Sequence, residues 1–283
     1  MLYCTKYGQI SVLQVSVQFN VGDTMKIRYP AVAGSFYPAD AIELQMMIQQ
    51  FLDLAGLSGK RPKAIIVPHA GYIYSGPTAA IAYKNLVPLK DKIERVILLG
   101  PAHHLAFRGI AMPDCEGFAS PLGTVYLDKH AMQSVADLSY VLVSSEAHRL
   151  EHGLEVQLPF LQTVLGDFKL APFVVGDSST EEVSTLLERL WGGDDTLIVI
   201  SSDLSHYHPY ECAQLLDAAT THEIEQLKPI LVGEQACGCR PLNGLLNVAK
   251  QHELRVTTLD LRNSGDTAGS RDGVVGYGAY VLQ

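Results

Sequence analysis

The sequence is short of positive charge: 21 lysines and arginines face 30 aspartates and glutamates, a formal net charge of −9 with histidine neutral. A nucleic-acid duplex would meet repulsion over most of such a surface, which excludes a general nucleic-acid binder held by a basic face. Charge of either sign is scarce, at 18% of residues against roughly 25% in an average soluble domain. With 47% apolar residues, this balance excludes disorder and implies a well-buried core. No apolar run reaches the ~18 residues that cross a bilayer, and the strongest runs, at 65–67 and 96–99, are strand-sized. No membrane span is expected. Residues 1–24 lack the basic start, apolar block and small-residue cleavage site of a secretory signal, so the expected location is cytoplasmic. Five cysteines (Cys4, Cys115, Cys212, Cys237 and Cys239) are an odd number without framework spacing. They imply reduced thiols, with a metal or catalytic role ahead of structural disulfides. Neither a Gly-x-Gly-x-x-Gly nor a Gly-x-x-x-x-Gly-Lys-Ser/Thr string occurs, so there is no nucleotide fingerprint.

What the chain does have is alternation. Residues 64–67 and 95–99 are short apolar strand-like runs, and 77–86 between them reads as a helix opened by Pro77. Helix-like 155–165, 180–191, 210–227 and 241–252 interleave with strand-like 170–175, 196–200, 254–261 and 273–282. Strands joined through helices predict an α/β fold, a single domain whose central sheet, largely parallel or mixed, is covered by helices on both faces. Residues 1–24 read as an N-terminal extension, an added edge strand or disordered, and 25–283 as the domain proper. Oligomeric state is not legible.

In open α/β sheets ligands bind beyond the carboxyl ends of the strands. Here those positions deliver histidine three times: His69 after 64–67, His103 and His104 after 95–99, and His206 after 196–200. One such histidine is usually a hydrogen-bonded loop residue; three coinciding favour a metal, which needs donors converging from separate segments. Cys237 precedes a helix expected to begin at Pro241, and the helix dipole with Arg240 would favour its thiolate. His152 and Glu155, spaced i, i+3, would share a helix face as a zinc-hydrolase pair does, although Glu151 and Glu155 also suit any helix start. The inverzincin pattern fails, because Val156 follows Glu155. Asp203 and His206 read either as an acid/base pair or as groups that orient ligand imidazoles. The glycine-rich stretch 265–273 reads first as a turn; if it faces the histidines, Arg271 would bind an anionic substrate group.

Seven motifs occur in order: Arg28-x-Pro-x-x-Ala-Gly-Ser-Phe-Tyr37, Pro68-His-Ala-Gly-Tyr-x-Tyr-x-Gly76, Leu99-Gly-Pro-x-His-His104, Glu151-His-x-x-Glu-x-x-Leu-Pro159, Ser201-Ser-Asp-x-x-His206, Cys237-Gly238 and Val275-Gly-Tyr277. Together they resemble the Memo-like family, also labelled AmmeMemoRadiSam system protein B, from about residue 28 to the C-terminus. The resemblance implies a fold like that of class III extradiol dioxygenases, with His69, His103 and Cys237 as metal ligands. It places His152, Asp203 and His206 at pocket positions, read as catalytic; Tyr72, His104, Glu155 and Arg271 are the expected substrate-pocket residues beside them. A thiolate where those dioxygenases carry a carboxylate suits iron or copper, with zinc the alternative. The implied function is metal-dependent redox or dioxygenase-like chemistry on a small substrate, alongside AMMECR-like and radical S-adenosylmethionine partners. Two alternatives stand beside it: an interaction protein with a vestigial site, as the motility-mediator description of eukaryotic members suggests, and a zinc hydrolase using His152 and Glu155. Cys239 either competes as a ligand, forms a reversible disulfide or is idle.

Overall fold

Four parallel strands carry the architecture, in the spatial order Ala64–Val67, Thr196–Ser201, Arg95–Pro101 and Lys169–Val175. This is a computed structural model, and it describes residues 26–283; the expectation for residues 1–24 lies outside them. Every residue of Ala64–Val67 and Thr196–Ser201 is buried. Successive side chains point to opposite faces, so both faces of the sheet are covered.

The sheet is mixed at its flanks. Val274–Leu282 runs antiparallel beside Ala64–Val67 and also pairs with His206–His208 and Val256–Asn263. Ile110–Met112 runs antiparallel beside Lys169–Val175 and carries Val141–Val143 on its far side. A smaller sheet joins Ile27–Arg28, Gly117–Ser120 and Gly123–Tyr126.

Helices Ala41–Leu54, Tyr72–Lys84 and Leu158–Leu165 pack together, as do Thr180–Leu190 and Cys239–Gln251. The Thr180–Leu190 helix shows why such segments are helical. Ser179 and Glu182 form a reciprocal capping box, and Val183, Leu186, Leu187 and Leu190 bury one stripe at i, i+3, i+4 and i+7.

Two helix starts differ from the expectation. The first helix after Ala64–Val67 begins at Tyr72, with Pro77 inside it, and the last begins at Cys239, with Pro241 in its first turn. In both, a proline was read as the opening residue. Pro77 stands one and a half turns in, where its absent N–H removes a bond to Ile73 but does not end the helix. The expected helix 155–165 is two, His152–Glu155 and Leu158–Leu165.

Candidate metal centre

Because the four central strands run parallel, their carboxyl ends share one edge, and the loops leaving them carry His69, His103 and Asp203 toward a common point. Nitrogens of His69, His103 and His152 all lie within 4.8 Å of one another. The His69 ring stands edge-on to His103 and His152, at 5.1 and 5.5 Å between centroids, whereas His103 and His152 stack at 4.6 Å. Cys237 Sγ is 3.2 Å from His69 Nε2. Gly153 packs against both rings, since a Cβ there would stand in ordinary contact, 3.4 Å from His69 Nδ1 and 3.6 Å from His103 Cε1.

The hydrogen bonds fix which nitrogens are free. Ser201 Oγ donates its single proton to the Gly153 carbonyl, at 2.5 Å. It therefore accepts the other two contacts, from Gln157 Nε2 at 2.8 Å and from His69 Nδ1 at 2.9 Å. His69 thus carries its proton on Nδ1 and presents the Nε2 lone pair to the cluster. Glu151 does the same for His103, accepting from Nδ1 at 2.7 Å and from the His103 backbone N–H at 2.8 Å. Its Oε1 also takes the Gly153 N–H, at 2.9 Å, and stands 3.5 Å from His152 Nδ1. Carboxylate and hydroxyl partners behind imidazoles orient them as metal ligands and set their tautomers.

Electrostatics keep the cluster in the form that binds cations. Burial, aided by the His103 imidazole, pushes His69 down to about 3, and burial with its two histidine neighbours pushes His152 down to about 4. Burial opposes the charge on Glu151, yet the donors from His103 and Gly153 prevail and hold it at about 2. Cys237 departs from the expectation. Burial and the nearby Asp203 carboxyl push its thiol up to about 12. Arg240 does not counter this, because its guanidinium is turned to Asp177 at 2.8 Å and to the Ser178 carbonyl at 2.9 Å. A cation at the imidazoles would displace that thiol proton, as metals do to coordinating thiols. The donor set fits a transition metal: imidazole lone pairs preset by tautomer and one soft sulfur.

A cavity of about 610 Å³ opens onto the imidazoles, lined by Phe36, Tyr74, His69, His103, His152, Asp203, His206, Tyr207 and Tyr277 among others. His206 Nδ1 donates to the Leu204 carbonyl at 2.8 Å, so its Nε2 is the nitrogen left for the cavity. Asp203 makes no hydrogen bond to His206, whose ring is instead held by the Leu204 carbonyl. Its Oδ1 accepts the His69 backbone N–H at 2.7 Å, and burial raises its carboxyl above the usual carboxylate range.

Other candidates stand apart from the cavity. Tyr72 is buried with its hydroxyl on the Val156 carbonyl, at 2.6 Å, and Tyr74 takes its place in the wall. Glu155 faces away from the imidazoles: Arg28 Nη1, the Ala31 and Val32 N–H groups and the Tyr37 hydroxyl all reach its carboxylate within 2.9 Å. Arg271 is exposed and lies over the Tyr210 ring, 4.2 Å from its centroid. His104 is exposed beside His152, at 5.9 Å between rings. Residue-by-residue reading missed the positioning roles of Ser201, Gln157 and Glu151, although Ser201 and Glu151 lay within quoted motifs.

A family model described as Memo-like protein matches residues 28–281, a span that holds every group described above. The chain belongs to the Memo-like family. It is 36% identical over 266 residues to a MEMO1 family protein of Aquifex aeolicus, covering 89% of this chain and 98% of that one. A MEMO1 family protein of Aeropyrum pernix is 36% identical over 280 residues, covering 90% and 99%. The solved structure of an uncharacterized protein from Escherichia coli K12 shares the fold, with a TM-score of 0.50 at 13% identity over 78% of this chain and 100% of that one. Among the described residues of this Memo-like chain, no helix is long and apolar enough to cross a membrane.

Proposed function

We propose that this Memo-like protein is a metal-dependent enzyme of redox or dioxygenase-like type acting on a small molecule. In this reading His69, His103 and Cys237 hold the ion, and the His152 imidazole faces it. The observation that carries the reading is the convergence of three imidazoles and a thiol from separate loops, with two of the imidazoles locked in the metal-binding tautomer. Imidazole and thiolate suit iron, copper or zinc over magnesium or calcium. Bound there, an ion of iron or copper supplies Lewis acidity and one-electron chemistry toward an oxygen-bearing substrate. The chain supplies the rest: Phe36, Tyr74 and Tyr277 wall the cavity, and His206, oriented by the Leu204 carbonyl at Nδ1, accepts a substrate proton at Nε2. AMMECR-like and radical S-adenosylmethionine proteins are the proposed partners. Glu155 is committed to Arg28, so the hydrolase alternative lacks its base.

The test is elemental analysis of untagged protein and of the His103→Ala and Cys237→Ser variants. Wild type is expected to hold close to one transition-metal ion per chain, with each variant losing most of it. Full metal content in Cys237→Ser would remove the thiolate from the ligand set.

A further inference from the structure

The carboxylate that answers His206 comes from a helix outside the cavity wall. Asp217 lies on the Tyr210–Glu225 helix and is 2% exposed, a buried acid that the metal centre does not use. Its Oδ1 accepts the Ser205 N–H at 3.0 Å. That N–H and the Leu204 carbonyl belong to one peptide unit, and the same carbonyl takes the His206 Nδ1 proton at 2.8 Å. Carboxylate, peptide and imidazole thus form one chain of hydrogen bonds, and the ring turns its other nitrogen to the cavity.

The surroundings seat this carboxylate closely. A Cβ on residue 276 would lie 2.0 Å from Asp217 Oδ2, so the glycine of the Val275-Gly-Tyr277 motif is required where the carboxylate packs. Gly276 also anchors the backbone on either side of the peptide: its carbonyl accepts the Leu204 N–H and its N–H donates to the Ser205 carbonyl, both at 2.8 Å. The final strand therefore holds this loop without help from Asp217. What the carboxylate adds is charge. An amide whose N–H meets a carboxylate is polarised toward its oxygen, and its carbonyl accepts more strongly in turn. Burial raises the Asp217 carboxyl above the usual carboxylate range, while the Ser205 N–H and the His206 and His208 imidazoles act the other way.

We propose that Asp217 is a positioning residue for His206, acting through the Leu204–Ser205 peptide to hold the ring proton on Nδ1 and keep the Nε2 lone pair toward the cavity. When Nε2 takes a substrate proton, the ring becomes an imidazolium that still donates from Nδ1, and the buried carboxylate offsets its charge through the shared peptide. The use of that lone pair in proton transfer rests on the function proposed above. The link from carboxylate to peptide to imidazole does not involve the ion.

The experiment is heteronuclear NMR of the histidine side chains in the full, metal-free chain, at a pH where free imidazole is neutral. The His206 signals are assigned by their loss in His206→Gln. In wild type the Nδ1–H tautomer is expected to exceed the Nε2–H form by about tenfold, the worth of one hydrogen bond. Asp217→Asn keeps the shape and an acceptor for the Ser205 N–H but removes the charge, and the ratio is expected to fall by about threefold or more. The His69 and His103 signals should keep their wild-type positions. An unchanged ratio in Asp217→Asn overturns the proposal and leaves Asp217 a packing residue. Two wild-type readings overturn it without any Asp217 variant: the proton found on Nε2 of His206, or a Ser205 amide that exchanges with solvent as freely as an unbonded one. These readings stand whatever the metal analysis returns, and their failure leaves His69, His103 and Cys237 as ligands untouched.

Discussion

Glu151 and Glu155 sit one helical turn apart, in the same motif, and both are buried, yet their carboxylates serve different neighbours. Glu151 collects the His103 ring, the His103 backbone N–H and the Gly153 N–H. Glu155 collects Arg28, two backbone amides from residues 31–32 and the Tyr37 hydroxyl. Arg28 then reaches the His148 and Glu151 carbonyls, tying the 28–37 segment to the helices that follow Val141–Val143. The first carboxylate shapes a cation site and the second holds the architecture around it. Residue type and motif membership do not separate these tasks; the direction each side chain takes from its turn does.

The division is broken most severely at Glu155. Glu155→Ala leaves the 8%-exposed Arg28 guanidinium without its counter-charge, and loss of one partner of a buried pair costs about 3–5 kcal/mol. Urea unfolding of the metal-free protein should show that loss. A cost below about 1 kcal/mol would place this pair with ordinary surface bridges.

Acid probes the same architectural side. Burial pushes His148 down to about 4, below its ordinary value of about 6.5 in an unfolded chain. The unfolded state therefore binds the proton first. The contribution of His148 is complete above about pH 6.5 and falls as pH drops toward 4, at about 1.4 kcal/mol per unit, or about 3 kcal/mol in all. Unfolding free energies at pH 7 and pH 4.5 measure it, and His148→Leu should flatten the profile by that share. An unchanged profile would show that another group carries the acid sensitivity.

The smallest effect belongs to the site side. Glu151→Gln keeps the shape but removes the charge behind His103, and partners of this kind are worth about 10–100-fold in metal affinity. Competition with a chromogenic chelator should register that loss while the melting temperature of metal-free protein moves less than in Glu155→Ala. Equal losses of stability in the two variants would erase the distinction between the carboxylates.

Much of the centre was legible because the loops of His69, His103 and His206 each follow a short run of buried aliphatic residues, a signal that survives without coordinates. His69, His103, Asp203 and His206 were placed beyond strand ends on that ground, and their loops lie there. What could not be read was side-chain direction at helix starts that lack a capping side chain. Gly71 offers none, so Pro77 looked like the first residue of a helix that begins at Tyr72. That shift exchanges Tyr72, turned into the core, for Tyr74 in the cavity wall. Glu155 shares a turn with His152, but its carboxylate is taken by Arg28, the Ala31 and Val32 amides and Tyr37, which are remote in sequence. Arg240 was assumed to serve the neighbouring thiol, but Asp177, remote in sequence, holds it. Pairings of that kind depend on tertiary contacts that no local pattern encodes.

Gly153 has its N–H held by Glu151 and its carbonyl held by Ser201, the same two side chains that grip His103 and His69. One imidazole cannot retreat without dragging this residue and, through it, the other. The spacing between the two rings is therefore set as a unit, by one loop rather than by each histidine alone.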